Sequence, residues 1–231
     1  MRNRLVAWLT AGALNALLVF PLTPMPKEFT VDGNPVEWQH ATVVEAAPAG
    51  TQPDEKPKQT ARIAIAYDGE NLGMSFSCPV GRDGLTFAPI NLPFSDALWR
   101  RGDRVEWIVR AGGEVFHHVF TPTGDEFRII YKSGGFEEGH AADFQYKANI
   151  TDANWCGEVK IPLMESPFPL PKKQPQWEMK ILITDLKNGT TYCWPPNTTP
   201  ALDSGYGSLD FTKLPSAPHN EPSAPPPVQA P

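Results

Sequence analysis

The side chains best suited to chemistry form a short cluster in the middle of the chain. Trp99 lies in a loop rich in proline and glycine, and Glu106 follows within a run of alternating apolar and polar residues. A tryptophan ring packs on apolar C–H surfaces, and a carboxylate accepts hydrogen bonds from hydroxyl groups. These residue types suit a ligand such as a sugar, which has an apolar face and a rim of hydroxyls. The alternative is that Trp99 anchors its loop and that Glu106 pairs in solvent with Arg104 or Arg110.

Motifs of catalysis or of zinc binding are missing from the sequence. It contains no Gly-x-Ser-x-Gly, His-Glu-x-x-His, phosphate-loop or Cys-x-x-Cys pattern. His117 and His118 are neighbours in a predicted strand, so they point to opposite faces and do not chelate one ion together. We therefore predict a non-catalytic binding protein.

Composition narrows the class of partner. The chain has 231 residues, a net charge of −6 and no run of lysine or arginine, which argues against nucleic acid and against electrostatic docking on anionic membranes. A neutral partner such as a saccharide is compatible with this balance. The length suits one domain with a sizeable core.

Both ends of the chain differ in composition from its middle. Residues 1–24 combine a basic start with an apolar stretch that prolines interrupt, which predicts a signal peptide or an N-terminal anchor. We therefore expect a secreted or cell-envelope protein, in which the three cysteines permit one disulfide. Residues 215–231 are rich in proline, and we expect a disordered tail there.

The middle of the chain, residues 27–213, reads as a succession of short strands. Predicted strands begin at Phe29–Val31 and end at Ser208–Phe211, and residues 46–60 are predicted to be an exposed polar loop. Alternation is clean around Glu106, because Val105, Trp107 and Val109 share one face while the polar residues share the other. Such strands predict an all-β fold, a two-sheet antiparallel sandwich of immunoglobulin or jelly-roll type.

Five motifs in order along residues 29–211 resemble the family 9-like carbohydrate-binding modules. They are an Asp-Gly turn leading to Glu37-Trp38, a small-residue strand ending at Asp68, Trp99 followed by Asp103-Arg-Val-Glu106, Trp155-x-x-Glu158 leading to Ile-Pro, and Trp194-Pro-Pro followed by Tyr206-Gly-x-Leu. Each motif is weak alone, and their order gives the resemblance its specificity. It implies a β-sandwich that binds a saccharide and acts in polysaccharide metabolism.

The resemblance also implies which residues contact the sugar. Trp99 corresponds to a stacking ring, Glu106 to an acceptor of sugar hydroxyls and Asn197 to a further polar contact. His117 stands where the family's known sugar binders have arginine, so a single donor replaces a bidentate fork. Their second stacking tryptophan falls here near Pro200 and Leu202, and Trp194 is expected in the core or at its rim rather than as a substitute. The two-ring clamp is therefore expected to be absent.

Three further expectations follow from the same family. Its members can hold structural calcium, for which Asp32, Asp68 and Asp103 are candidate oxygen donors. A neighbouring fold binds haem, and Met74 with His117 or His118 would then be the axial ligands. A third alternative is a structural or adaptor domain that has lost sugar binding.

Overall fold

The computed structural model describes residues 18–27, 29–52, 55–80, 84–88, 98–139, 144–196 and 198–213. Among these residues, fourteen β-strands account for most of the regular secondary structure, so the all-β prediction is confirmed. The same ranges contain short 3₁₀ turns at Pro35–His40, Leu98–Arg101 and Phe211–Lys213. Within the described ranges, no helix is long and apolar enough to cross a membrane.

The strands run in sequence order from the N-terminal side. They are β1 Val19–Phe20, β2 Leu22–Pro24, β3 Val44–Pro48, β4 Ala61–Tyr67, β5 Asn71–Pro79, β6 Arg104–Ala111, β7 Glu114–Phe120, β8 Glu126–Lys132, β9 Gly135–Gly139, β10 Gln145–Ile150, β11 Asn154–Pro162, β12 Gln176–Asp185, β13 Thr190–Trp194 and β14 Gly207–Asp210.

The strands form two largely antiparallel sheets that are joined along one edge. Sheet A has the order β13-β12-β6-β7-β8-β9, with β14 and β1 added beside β12. Sheet B has the order β10-β11-β5-β4, with β2 added in parallel to β4. Strand β3 belongs to both, because Val44–Ala46 pairs with β4 while Ala47 and Pro48 pair with β13. Continuous hydrogen bonding along this edge gives the sandwich a curled, half-barrel shape.

Alternation along the strands decides which side chains fill the core. On β6, Val105, Trp107 and Val109 are fully buried between the sheets, as the sequence pattern predicts. The same core cluster contains Met74 of β5, on sheet B, and Ile181 of β12, the strand next to β6 in sheet A. Period-2 alternation therefore sends Glu106 and its same-face neighbours to the outer face of sheet A.

Two of the family-like motifs meet at one buried carboxylate on sheet B. Both oxygens of Glu158 accept hydrogen bonds: Oε2 from the backbone N–H groups of Asp32 (3.1 Å) and Gly33 (2.8 Å), and Oε1 from Trp38 Nε1 (2.8 Å). The segment before β3 is thereby fixed across the outer face of sheet B. Small residues lie beneath it, since a Cβ on Gly73 would approach Met25 Sδ to 2.8 Å.

Several boundaries differ from those predicted. Strands β1 and β2 lie within residues 1–24, the predicted signal peptide or anchor, and Phe20 packs edge-on against Trp194 at 4.9 Å between ring centroids. The sandwich therefore starts before residue 27, while residues 1–17 lie outside the described residues. Phe29–Val31 is not a strand, and β3 occupies the start of the predicted loop 46–60. A strand paired to a distant segment gains its hydrogen bonds from that partner, which local patterns do not display.

The remaining predictions on the ends and on the cysteines have different outcomes. Cys78, Cys156 and Cys193 are not joined in a disulfide, so the permitted bridge is not formed. The proline-rich tail 215–231 lies outside the described residues.

Candidate functional site

The candidate site begins at the 3₁₀ turn that carries Trp99 and continues into β6. Arg104, the first residue of β6, donates from Nη1 to the carbonyl oxygens of Arg100 and Gly102, each at 3.3 Å. Its Nε donates to Glu106 Oε1 at 2.8 Å. Arg104 therefore ties the backbone of the turn to the carboxylate two residues further along. The backbone of Trp99 belongs to this turn, and its side chain lies outside the described residues.

Glu106 and His117 form a buried pair on the outer face of sheet A. His117 Nε2 donates to Glu106 Oε2 at 2.9 Å, and the side chains are 4% and 3% exposed, respectively. Burial by itself raises the pKa of Glu106, but the hydrogen bond from His117 and the charges of His117 and Arg104 outweigh it and lower that pKa. The carboxylate is thus held ionised between two donors, and it is not the solvated strand carboxylate of the alternative interpretation.

The neighbouring histidine points the other way, as strand alternation requires. His118 is fully buried in the core and stacks on Phe144 at 4.6 Å and on Phe168 at 5.5 Å between ring centroids. Neither ring nitrogen has a hydrogen-bond partner among the described residues. Burial, with added repulsion from Arg128 and His117, holds the pKa of His118 well below its usual value. His118 is therefore neutral at physiological pH.

This placement bears on the haem alternative. Met74 is buried in the core, so His117 on the outer face of sheet A and Met74 lie on opposite sides of that sheet and do not share one iron. His118 does face the core, but aromatic side chains enclose its ring.

The loop from Thr198 to Tyr206 is fastened onto the outer face of sheet A. Lys180 of β12 donates to the carbonyl oxygens of Ala201 and Ser204 and lies 4.4 Å from the centre of the Tyr206 ring. Arg110 of β6 lies over the same ring at 4.2 Å. Burial and the charge of Arg110 lower the pKa of Lys180 to about 8. The only aromatic ring in this loop is therefore buried between two cations rather than presented to a ligand.

The region expected to hold a second stacking ring is occupied differently. Leu202 packs with Ile108, Leu182 and Tyr206 on the outer face, and Arg110 Nη2 donates to its carbonyl oxygen at 2.8 Å. Trp194 is 6% exposed in the core, which confirms the prediction for it. Asn197 lies outside the described residues.

The structure thus brings together Glu106, His117 and the turn of Trp99, and it adds two groups that sequence reasoning underrated. Arg104 was considered only as a solvated partner of Glu106, whereas it links the carboxylate to the turn. Lys180 is fully buried within an apolar strand. A lone lysine in such a run was the available signal, since buried lysines need partners.

The candidate calcium ligands do not converge. Asp32 lies within 4.8 Å of Glu37 and Glu158, measured between one oxygen of each carboxylate. Asp68 instead caps its own turn at Glu70 and Asn71, and Asp103 accepts from the backbone N–H groups of Thr86 and Leu186. Burial and the charge of Glu37 raise the pKa of Glu158 to about 7. Because both Glu158 oxygens already accept N–H donors, the group fits a calcium ion only in part.

A concave surface lies on the outer face of sheet B. It is a cleft of about 360 Å³ between the 3₁₀ turn Pro35–His40 and strands β4 and β5. Its polar lining includes Gln39, Arg62 and Ser75. This cleft is on the other sheet from Glu106 and offers an independent location against which the candidate site can be tested.

Comparison with solved structures supports the fold. The family 9 carbohydrate-binding module from Caldicellulosiruptor kristjanssonii in complex with cellotriose superposes with a TM-score of 0.57 at 13% identity, covering 91% of this chain and 100% of that one. The same organism's module in complex with glucose gives a TM-score of 0.54 at 13% identity, with coverages of 86% and 97%. A proposed carbohydrate-binding protein from Bacteroides uniformis ATCC 8492 gives 0.57 at 12% identity, with coverages of 84% and 97%.

These similarities establish that the chain has the fold of family 9 carbohydrate-binding modules, as the motif order predicts. No protein-family model matches the sequence, and no curated protein matches it. At such low identity the likeness concerns the arrangement of strands, and the ligand has to be argued from the side chains.

Proposed function

We propose that this protein is an exported, non-catalytic saccharide-binding domain whose site lies on the outer face of sheet A. The observation that carries the proposal is the buried hydrogen-bonded group of Arg104, Glu106 and His117 directly beside the turn of Trp99. Burying ionised and imidazole groups costs desolvation free energy. Titratable groups held in this way cluster at functional sites, where they can orient a ligand. The fold of the two C. kristjanssonii modules, solved with cellotriose and with glucose, supports the same ligand class.

In this proposal Trp99 stacks on the apolar face of a sugar ring, and the polar group beneath it defines the orientation of the hydroxyls. Glu106 fixes Arg104 and His117, while each carboxylate oxygen retains a lone pair for a hydroxyl. Asn197 adds an amide from the loop that Lys180 and Arg110 fasten to the sheet. Donors and acceptors held in place by the fold reduce the entropy lost on binding.

The test is a glycan array followed by titration monitored through tryptophan fluorescence. We expect binding that Trp99→Ala abolishes and that Glu106→Gln and Asn197→Ala weaken. Arg62→Ala, in the cleft on sheet B, is the matched control and should leave binding unchanged. Absence of response to every glycan would refute the function. Loss of binding in Arg62→Ala with retention in Trp99→Ala would refute the site on sheet A and favour the cleft on sheet B.

A further inference from the structure

The proposed saccharide site has one expected stacking ring, that of Trp99. On its other side, the loop 198–206 covers the sheet. Tyr206 is 7% exposed beneath Arg110 and Lys180, so that loop presents no ring to a ligand. A glycan longer than one sugar must then extend in the other direction, across β7 towards β8 and β9.

Strand register places two aromatic residues along that direction. His117 pairs with Ile129 of β8, and Tyr131 lies two residues further on the same strand, hence on the same face. Tyr131 in turn pairs with Phe136 of β9. Diagonal neighbours across paired strands are about 7–8 Å apart between Cα atoms, which is within reach of aromatic side chains. The aromatic pair therefore adjoins the histidine that binds Glu106.

One member of this pair is largely exposed. Phe136 is 62% exposed on an edge strand, Tyr131 is partly exposed, and their ring centroids are 6.3 Å apart. Burial of a phenylalanine side chain is favourable, and Phe136 forgoes much of that contribution in the free protein. An apolar surface left open beside polar groups is the arrangement that a sugar face covers.

Polar groups border the pair as well. Burial raises the pKa of Tyr131, and the charges of Arg100, Glu138 and Glu106 lie near enough to affect it. Arg100 belongs to the same 3₁₀ turn as Trp99. Glu138 of β9 pairs with Ile129, so it lies on the same face as Tyr131 and offers a carboxylate for sugar hydroxyls.

We propose that Tyr131 and Phe136 form a second aromatic subsite, which binds a further sugar unit of the glycan held at Trp99, Glu106 and His117. This subsite rests on the proposed function and deepens it: the ligand is an oligosaccharide rather than a monosaccharide. The subsite also supplies a second stacking ring, from strands β8 and β9, which the loop 198–206 over β12 and β6 does not provide.

The experiment compares trisaccharides with their monosaccharides by isothermal titration calorimetry. Cellotriose, xylotriose and chitotriose are the probes, with glucose, xylose and N-acetylglucosamine beside them. We expect the trisaccharide that binds to exceed its monosaccharide by at least tenfold in affinity. Phe136→Ala should lose about fivefold or more of the trisaccharide affinity and little of the monosaccharide affinity, because one stacking contact is removed.

Two further variants make the outcomes distinct. Phe87→Ala removes another exposed phenylalanine, 51% exposed, which lines a cleft with Ile150 and Asp152 at one end of sheet B, and should change nothing. Tyr131→Phe keeps the ring and should retain most of the affinity, whereas Tyr131→Ala should not. If Phe136→Ala binds as Phe87→Ala does while Trp99→Ala abolishes binding, the subsite is refuted and the proposed function stands. If wild-type protein responds to glycans of the array but binds no trisaccharide more tightly than its monosaccharide, the subsite alone is overturned. If it responds to no glycan at all, both are overturned.

Discussion

Replacing His118 with phenylalanine should remove a measurable part of the acid sensitivity of the protein. The imidazole is fully buried among aromatic rings, with no hydrogen-bond partner for either nitrogen among the described residues. Its pKa lies well below the usual value in the folded state, because burial penalises the charged form. The unfolded chain therefore binds a proton at pH values where the folded chain does not.

The magnitude follows from that difference. With a pKa of about 6.5 in the unfolded chain, protonation of His118 there costs the folded state about 1 kcal/mol for each pH unit below that value, down to the lower pKa of the folded state. The loss begins as the pH falls below the unfolded pKa and stops growing only below the folded pKa. Phenylalanine lacks this proton, so the free energy of unfolding of His118→Phe should fall less steeply with acid.

Urea unfolding at pH 7.5, 6.5, 5.5 and 4.5 measures this effect as a difference between variant and wild type. Contributions from Glu106 and other carboxylates cancel in that difference, and any packing change from the larger ring offsets all four points equally. His118→Leu provides a second variant without titration, and His40→Gln, at an exposed histidine, is the control. A difference curve that stays flat from pH 7.5 to 4.5 in both His118 variants would show that the buried histidine is protonated in the fold.

Three more outcomes are expected. Glu106→Ala should lower the free energy of unfolding by about 3 kcal/mol, because it removes the buried carboxylate that accepts from both Arg104 and His117. Chemical denaturation measures this, and a loss under about 1 kcal/mol would mean that these pairs behave like exposed ones. Glu37→Gln should lower the pKa of Glu158 from about 7 towards its usual value. A carboxyl with a raised pKa costs the folded state stability as the pH rises from 4.5 to 7, so this loss should be smaller in the variant. A pH profile of the melting temperature equal to that of the wild type would argue against repulsion between the two carboxylates. Phe20→Ala should cost about 3 kcal/mol by leaving a cavity in the core, and a wild-type melting temperature would mean that strand β1 contributes nothing.

Local sequence patterns determine most of the strands and their faces. The alternation of β6 is enough to place Val105 and Trp107 in the core and Glu106 on the outer face, because side chains of a strand alternate with a period of two. The pair of adjacent histidines is resolved by the same rule, one outward to Glu106 and one inward to the aromatic core. The order of the five motifs along the chain predicts that these strands assemble into a sandwich.

The partners of those side chains depend on segments far apart in the chain, so the tertiary structure alone decides them. Glu158 meets Trp38 across more than a hundred residues, and Lys180 fastens a loop that no local pattern assigns to it. Strands β1 and β3 exist through pairing with distant strands, which explains why composition assigned them to a leader and a loop. Glu106, the carboxylate beside Trp99 in the sequence, shows the division most clearly. Its face is set by local alternation, while its burial between Arg104 and His117 arises only when neighbouring strands pair in register.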